Sequence, residues 1–263
     1  MNSFAEILII ALFTSTACAL PGNFLALRKM SMLTDAISHT VLLGIITAFL
    51  ICGDLSSPFL IIGATIMGVF TVWLIELLYN SKLVASDSAI GLIFPLLFSI
   101  GVILITRYAG NVHLDTDCVL LGELAFAPFD RLVINGIDYG AKGIYISGLI
   151  LLIVSSLITL FYKEIKLATF DPILCATLGF SPLLIHYGLM SLVSLVAVTS
   201  FQSIGSILVI AFMIIPAMTA TLWTRTLTSR LILSCLLGAA GAILGILGAI
   251  YLDTSLAGMM AAI

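Results

Sequence analysis

Asp35 and His39 lie four residues apart in an otherwise apolar stretch, with Ala36-Ile37-Ser38 between them and Thr40-Val41-Leu42-Leu43-Gly44 beyond. On a helix, positions i and i+4 share one face, one above the other. A carboxylate and an imidazole therefore stand together where lipid-facing residues are expected. An acid near the middle of a membrane helix costs roughly 2.5–3.5 kcal/mol on the insertion scale. A divalent cation is the simplest partner that offsets this, because carboxylate oxygen plus imidazole nitrogen is a ligand set for first-row metals. The plainer reading is a polar pair satisfied within a helix bundle. A single pair supplies only two ligands, too few for a stable site.

The elements that must position this pair are membrane helices. The chain has 263 residues, of which 62% are hydrophobic and 9% charged, and its mean hydropathy is +1.29. Ordinary soluble domains do not have this composition. Backbone groups in lipid must be satisfied internally, so spans are helices or a closed barrel. The apolar runs here are long and continuous, without the alternation of barrel strands. The predicted fold class is an all-α polytopic helix bundle. With about 20 apolar residues needed per crossing, spans are expected near 4–26, 33–51, 58–79, 89–107, 143–162, 183–201, 204–223 and 230–251. A ninth apolar segment begins at Leu256-Ala257-Gly258-Met259-Met260 and stops at Ile263, too short to span, so the last helix reads as truncated.

Orientation follows from the basic residues. Arg28, Lys29, Lys82, Lys163, Lys166, Arg225 and Arg230 fall on one side of the alternating loops. Arg107, Arg131 and Lys142 fall on the other. Placing the larger set in the cytoplasm puts the N-terminus outside. The first span lacks a basic n-region, so a cleavable signal peptide is not expected. The five cysteines (Cys18, Cys52, Cys118, Cys175 and Cys235) form no C-x-x-C pair and read as small apolar residues.

Two connections stand out. The external segment 108–142 is long and carries His113, Asp115, Asp117 and Glu123. It is expected to hold short helices lying over the bundle. Its charged cluster reads either as a docking point for a metal-delivery protein, a first holding point for the cation, or an ordinary hydrated loop. The cytoplasmic stretch 163–182 contains Lys166, Thr169, Phe170, Asp171 and Pro172. Asp171 before Pro172 suits the N-cap and first turn of a short helix. His186 reads as an interfacial histidine. Gly238, Gly241, Gly245 and Gly248 form a small-residue stripe for close packing, and Pro216 implies a kink or break in the seventh span. No G-x-x-x-x-G-K-[ST], H-E-x-x-H or G-x-S-x-G motif is present, so ATP hydrolysis and the familiar hydrolases lack their machinery in this sequence. No basic patch points to nucleic acid.

Four ordered blocks carry a resemblance. Leu27-Arg28-Lys29-Met30-Ser31-Met32-Leu33-Thr34-Asp35-Ala36-Ile37-Ser38-His39 resembles the stretch entering the second helix in the permease subunits of bacterial ATP-binding-cassette importers for manganese, zinc and iron (the ABC-3 type metal ion transporters). Asp115 to Glu123 resembles the external loop of that family, and Lys166-Leu167-Ala168-Thr169-Phe170-Asp171-Pro172 its cytoplasmic loop. Ser203 to Ile210, running on to Pro216-Ala217, resembles its late proline-containing helix. Thr34, Thr40 and Leu43 replace the usual Gly, Ala and Pro, and Cys118 stands where manganese-type members often carry His.

The resemblance implies one permease domain over 1–263, in the bacterial plasma membrane, passing a divalent metal inward through Asp35 and His39. It implies a second permease copy or paralogue, two ATPase subunits and an external metal-binding protein. A two-fold axis beside the second helix would join two pairs into two carboxylates and two imidazoles, a set suited to zinc or, with water, to manganese. The Asp115-Thr116-Asp117 loop favours manganese, with zinc next and ferrous iron open. Residues 166–172 would couple to the ATPase, with Phe170 as the apolar anchor. The alternative is an ion-coupled secondary carrier in which Asp35 and His39 relay protons; an intramembrane metalloenzyme would need a separate general base at a suitable spacing.

Overall fold

A computed structural model describes residues 3–53, 59–108, 124–134 and 137–263. Long apolar segments form α1 (Ser3–Leu27), α2 (Met32–Cys52), α3 (Phe59–Asn80), α4 (Ser86–Tyr108) and α5 (Lys142–Leu160). Two short helices follow, α6 (Tyr162–Phe170) and α7 (Pro172–Thr177). The chain continues through α8 (Pro182–Ile204), α9 (Ser206–Trp223), α10 (Leu227–Leu252) and the short α11 (Leu256–Ala262). Among the described residues, eight helices are long and apolar enough to cross a membrane: α1–α5 and α8–α10. They match the eight expected spans.

Where boundaries differ, local chemistry explains it. Thr226 starts α10 earlier than expected, its side chain accepting the Ser229 N–H. Only Gly205 separates α8 from α9, at φ +83° and ψ 160°, a conformation essentially reserved for glycine. Pro216 lies inside α9, which runs on without a break.

The bundle has two neighbourhoods. α1 packs against α5, α9 and α10, while α2 packs against α3 and α4, and α8 touches both groups. Backbone approach is closest where glycine removes the side chain. A Cβ on Gly22 would sit 1.9 Å from the Met213 carbonyl oxygen of α9, and one on Gly44 would sit 2.6 Å from the Ala64 Cα of α3. The predicted stripe on α10 divides its work. Gly238 faces Ser15 of α1, Gly245 and Gly248 face Met260 and Met259 of α11, and Gly241 meets nothing within 4 Å.

Some polar groups inside the apolar bundle find partners within their own helix and others across helices. The Thr14 and Thr65 hydroxyls donate to the carbonyls of Ile10 and Ile61, one turn back, each at 2.7 Å. Asn23 donates to Ser234 of α10 at 2.6 Å, an interhelical bond worth on the order of 0.6 kcal/mol in a membrane.

The two ends of the bundle are built differently. At one end the α1–α2 turn, the α3–α4 turn and the start of α7 meet around a cavity of about 740 Å³. At the other, the segment expected to form short helices gives a 3-10 helix (Leu124–Phe129) and a two-stranded antiparallel hairpin, β1 (Arg131–Ile134) and β2 (Ile137–Ala141). Arg131 of β1 reaches within 4.0 Å of Glu6, a fully buried acid in the first turn of α1.

Candidate functional site

Asp35 and His39 project from one face of α2, with Oδ1 and Nε2 3.5 Å apart. Every other residue from Leu33 to Ile46 is buried. The Asp35 side chain is 48% exposed and that of His39 35%. Over Leu33 to Ile46, α2 is thus enclosed by its neighbours except where it presents one acid and one imidazole. Ser31 and Thr34 provide no side-chain cap, but Ser38 donates to the Asp35 carbonyl at 2.6 Å within the turn.

Neighbouring helices hold the pair. The His39 ring stacks on Phe94 of α4 at 5.5 Å between centroids and 26° between planes, and meets Phe98 edge-on at 5.8 Å. Beside it, Thr71 of α3 donates to Thr40 of α2 at 2.9 Å, and Thr40 donates back to the Ala36 carbonyl at 3.1 Å. Phe94, Phe98 and Thr71 were not singled out in the sequence. The spacing of the two phenylalanines, one turn apart on an apolar helix, was the available signal. Among the described residues no group of three or more His, Cys, Asp or Glu side chains comes together. This chain brings two ligands to the site, an oxygen and a nitrogen.

His113, Asp115, Asp117 and Glu123 lie outside the described residues. The other predicted segment is well placed. Asp171 Oδ1 accepts the Leu174 N–H at 2.9 Å, capping α7, with Pro172 in the first turn. All of α7 except Cys175 is exposed, and Phe170, Ile173 and Leu178 are 60%, 79% and 60% exposed. Lys166 and Asp171 are exposed beside them, while Thr169 turns inward.

Thr169 leads to a cluster that sequence reasoning missed. His186, expected to be a plain interfacial histidine, has its Nε2 2.5 Å from Glu76 Oε1. The Tyr187 hydroxyl donates to Glu76 Oε2 at 2.8 Å. Arg28, read only as a marker of orientation, lies 2.8 Å from His186 Nδ1 and donates to Thr169 Oγ1. Burial pulls the Arg28 guanidinium below its ordinary value, and Glu76 opposes that shift. The signal for this cluster was Glu76, the lone charged residue within α3, since intramembrane acids find partners.

Comparison with known proteins agrees with the helical architecture. The chain is 45% identical over 262 residues to the manganese transport system membrane protein MntD of Bacillus subtilis (strain 168), covering 100% of this chain and 88% of that one. It is 46% identical over 260 residues to the zinc transport system membrane protein TroD of Treponema pallidum (strain Nichols), covering 97% and 70%. Its structure is similar to that of PsaBC from Streptococcus pneumoniae in complex with Fab, with a TM-score of 0.81, 29% identity, and coverage of 100% and 88%. The sequence model of the ABC 3 transport family matches residues 1–263. With that match running through α2 and the capped α6–α7 segment alike, the chain is a multi-pass membrane permease belonging to the ABC 3 transport family.

Proposed function

We propose that this chain is the membrane-spanning subunit of an ATP-driven importer for a divalent transition metal, and that Asp35 and His39 grip the ion during passage. The observation that carries this reading is the opening in α2: between Leu33 and Ile46 only these two side chains escape burial, and they lie 3.5 Å apart. Two such pairs, one from each of two permease subunits, supply two carboxylate oxygens and two imidazole nitrogens. That set suits four-coordinate zinc, or manganese with added water. Relatives named for manganese and for zinc are almost equally similar. The Asp115-Thr116-Asp117 segment favours manganese.

Binding requires ionised Asp35 and neutral His39. Release follows if the two copies separate, since each then keeps half of the ligands. The exposed apolar surface of Phe170, Ile173 and Leu178 supports docking of a separate ATPase subunit. Phe170 fills a pocket on that partner, and Lys166, Asp171 and Pro172 set the geometry around it. His113, Asp115, Asp117 and Glu123 receive the metal from an external binding protein. The N-terminus lies outside the plasma membrane, and 1–263 acts as one transmembrane unit.

The test is metal uptake by the assembled complex. Asp35→Ala and His39→Ala are each expected to abolish manganese and zinc uptake while the permease still copurifies with its ATPase. Unchanged uptake in both variants removes the site.

A further inference from the structure

Arg28 is the C-cap residue of α1, and the turn that follows fixes it firmly. The Lys29 N–H bonds the Ala26 carbonyl at 3.2 Å, and the Met30 N–H bonds the Leu25 carbonyl at 3.0 Å. Lys29 is left-handed, at φ 58°. This is the Schellman pattern of helix endings. From that anchored start the guanidinium reaches two ways. Nε and Nη2 donate to Thr169 Oγ1 at 3.2 and 3.1 Å, while Nη1 donates to His186 Nδ1 at 2.8 Å. Arginine has no acceptor, so His186 Nδ1 must be unprotonated and its proton must sit on Nε2. That is the nitrogen facing Glu76, whose other oxygen accepts from Tyr187.

The result is one connected chain across four elements. Thr169 is the last but one residue of α6, beside Phe170 and the exposed α7. Arg28 ends α1, His186 and Tyr187 belong to α8, and Glu76 belongs to α3. Thr169 donates its own proton to the Ile165 carbonyl at 2.7 Å, leaving its lone pairs for Arg28. Arg28, Thr169, His186 and Glu76 border the cavity also lined by Met32 and Leu33, two to three residues before Asp35. A guanidinium at hydrogen-bond distance from His186 makes this a poor place for a cation, so the cluster is not a second metal site.

We propose that Arg28 is a positioning residue for transport: it clasps the α6–α7 unit to α3 and α8, so that displacement of α7 is delivered to the helices around the cavity below Asp35. This rests on the reading of α6–α7 as the element that docks on the ATPase. The role needs a planar group with donors fixed in two directions. Lysine carries the same charge as a single flexible point and cannot hold both partners in that geometry.

The experiment uses the permease assembled with its ATPase and binding protein in proteoliposomes, with manganese as the probe. Three quantities are read together: manganese moved per ATP hydrolysed, manganese affinity, and subunit assembly. Arg28→Lys is expected to lower manganese moved per ATP by at least about fivefold, the lower end of ordinary coupling between sites. Assembly and manganese affinity should persist. Thr169→Val removes the acceptor hydroxyl alone and is expected to lower the same ratio, which keeps the test open should Arg28→Lys fail to fold. An unchanged ratio in the folded variants overturns the proposal. So does a ratio that falls only with loss of assembly, since that is a packing role. A wild-type complex that shows no ATP-dependent uptake instead overturns the parent reading, and the clasp with it.

Discussion

Phe94 offers a sharp test of how the α2 pair is held. The His39 imidazole lies nearly flat on Phe94, 5.5 Å away and tilted by 26°, with Phe98 at its edge. Such a wall restricts the ring to one orientation, and an ordered ligand binds more tightly because less freedom is lost on binding. Replacing Phe94 by leucine keeps apolar bulk but removes the stack. An aromatic pair contributes about 0.5–1.5 kcal/mol beyond its buried area. If two copies form the metal site, both imidazoles lose their wall, for a total of about 1–3 kcal/mol. That corresponds to a roughly 5–150-fold weaker metal affinity. The assay is equilibrium manganese binding to the purified complex, alongside the concentration dependence of uptake. Phe94→Leu should raise the half-saturating concentration while leaving maximal uptake much less affected. A manganese affinity equal to that of wild type would refute the argument that stacking preorganises His39.

Other outcomes follow from packing and from the exposed helical surface. Gly22→Ala places a Cβ against the Met213 carbonyl, and such overpacking should destabilise the bundle by about 1–3 kcal/mol or more. Gly241→Ala, in open space on α10, should be neutral or stabilising by up to about 1 kcal/mol; thermal unfolding in one detergent compares the two. Phe170→Ala should sharply reduce copurification of the ATPase without lowering the yield of permease in the membrane. Asp171→Ala removes the α7 cap and should destabilise that turn by about 0.5–2 kcal/mol, seen as faster amide exchange over 173–177 and weaker uptake.

The legible parts of this molecule are those written in local pattern. Eight apolar runs became eight long helices because length and hydropathy alone decide a crossing. Asp35 and His39 were legible because a four-residue spacing places two side chains on one helical face, whatever the rest of the fold. The Asp171 cap was legible for the same reason, since its partner is Leu174, three residues on. Arg28, Glu76 and His186 were not, because their partnership is tertiary. Arg28 and His186 are 158 positions apart, as are Tyr187 and Glu76 by 111, and no local periodicity brings them together. The hairpin after the 3-10 helix was missed because its strands are shorter than the windows in which alternation can be recognised. Phe94 and Phe98 look like ordinary apolar filling until α4 is packed beside α2.

Gly205 gives the junction of α8 and α9 an unusual mechanical character. One residue offers just two soft torsions, and both already sit where only glycine is comfortable. There is no slack with which one rod could slide away from the other. The two are joined as by a pin rather than a cord: one rod can pivot about Gly205 but cannot draw away from the other.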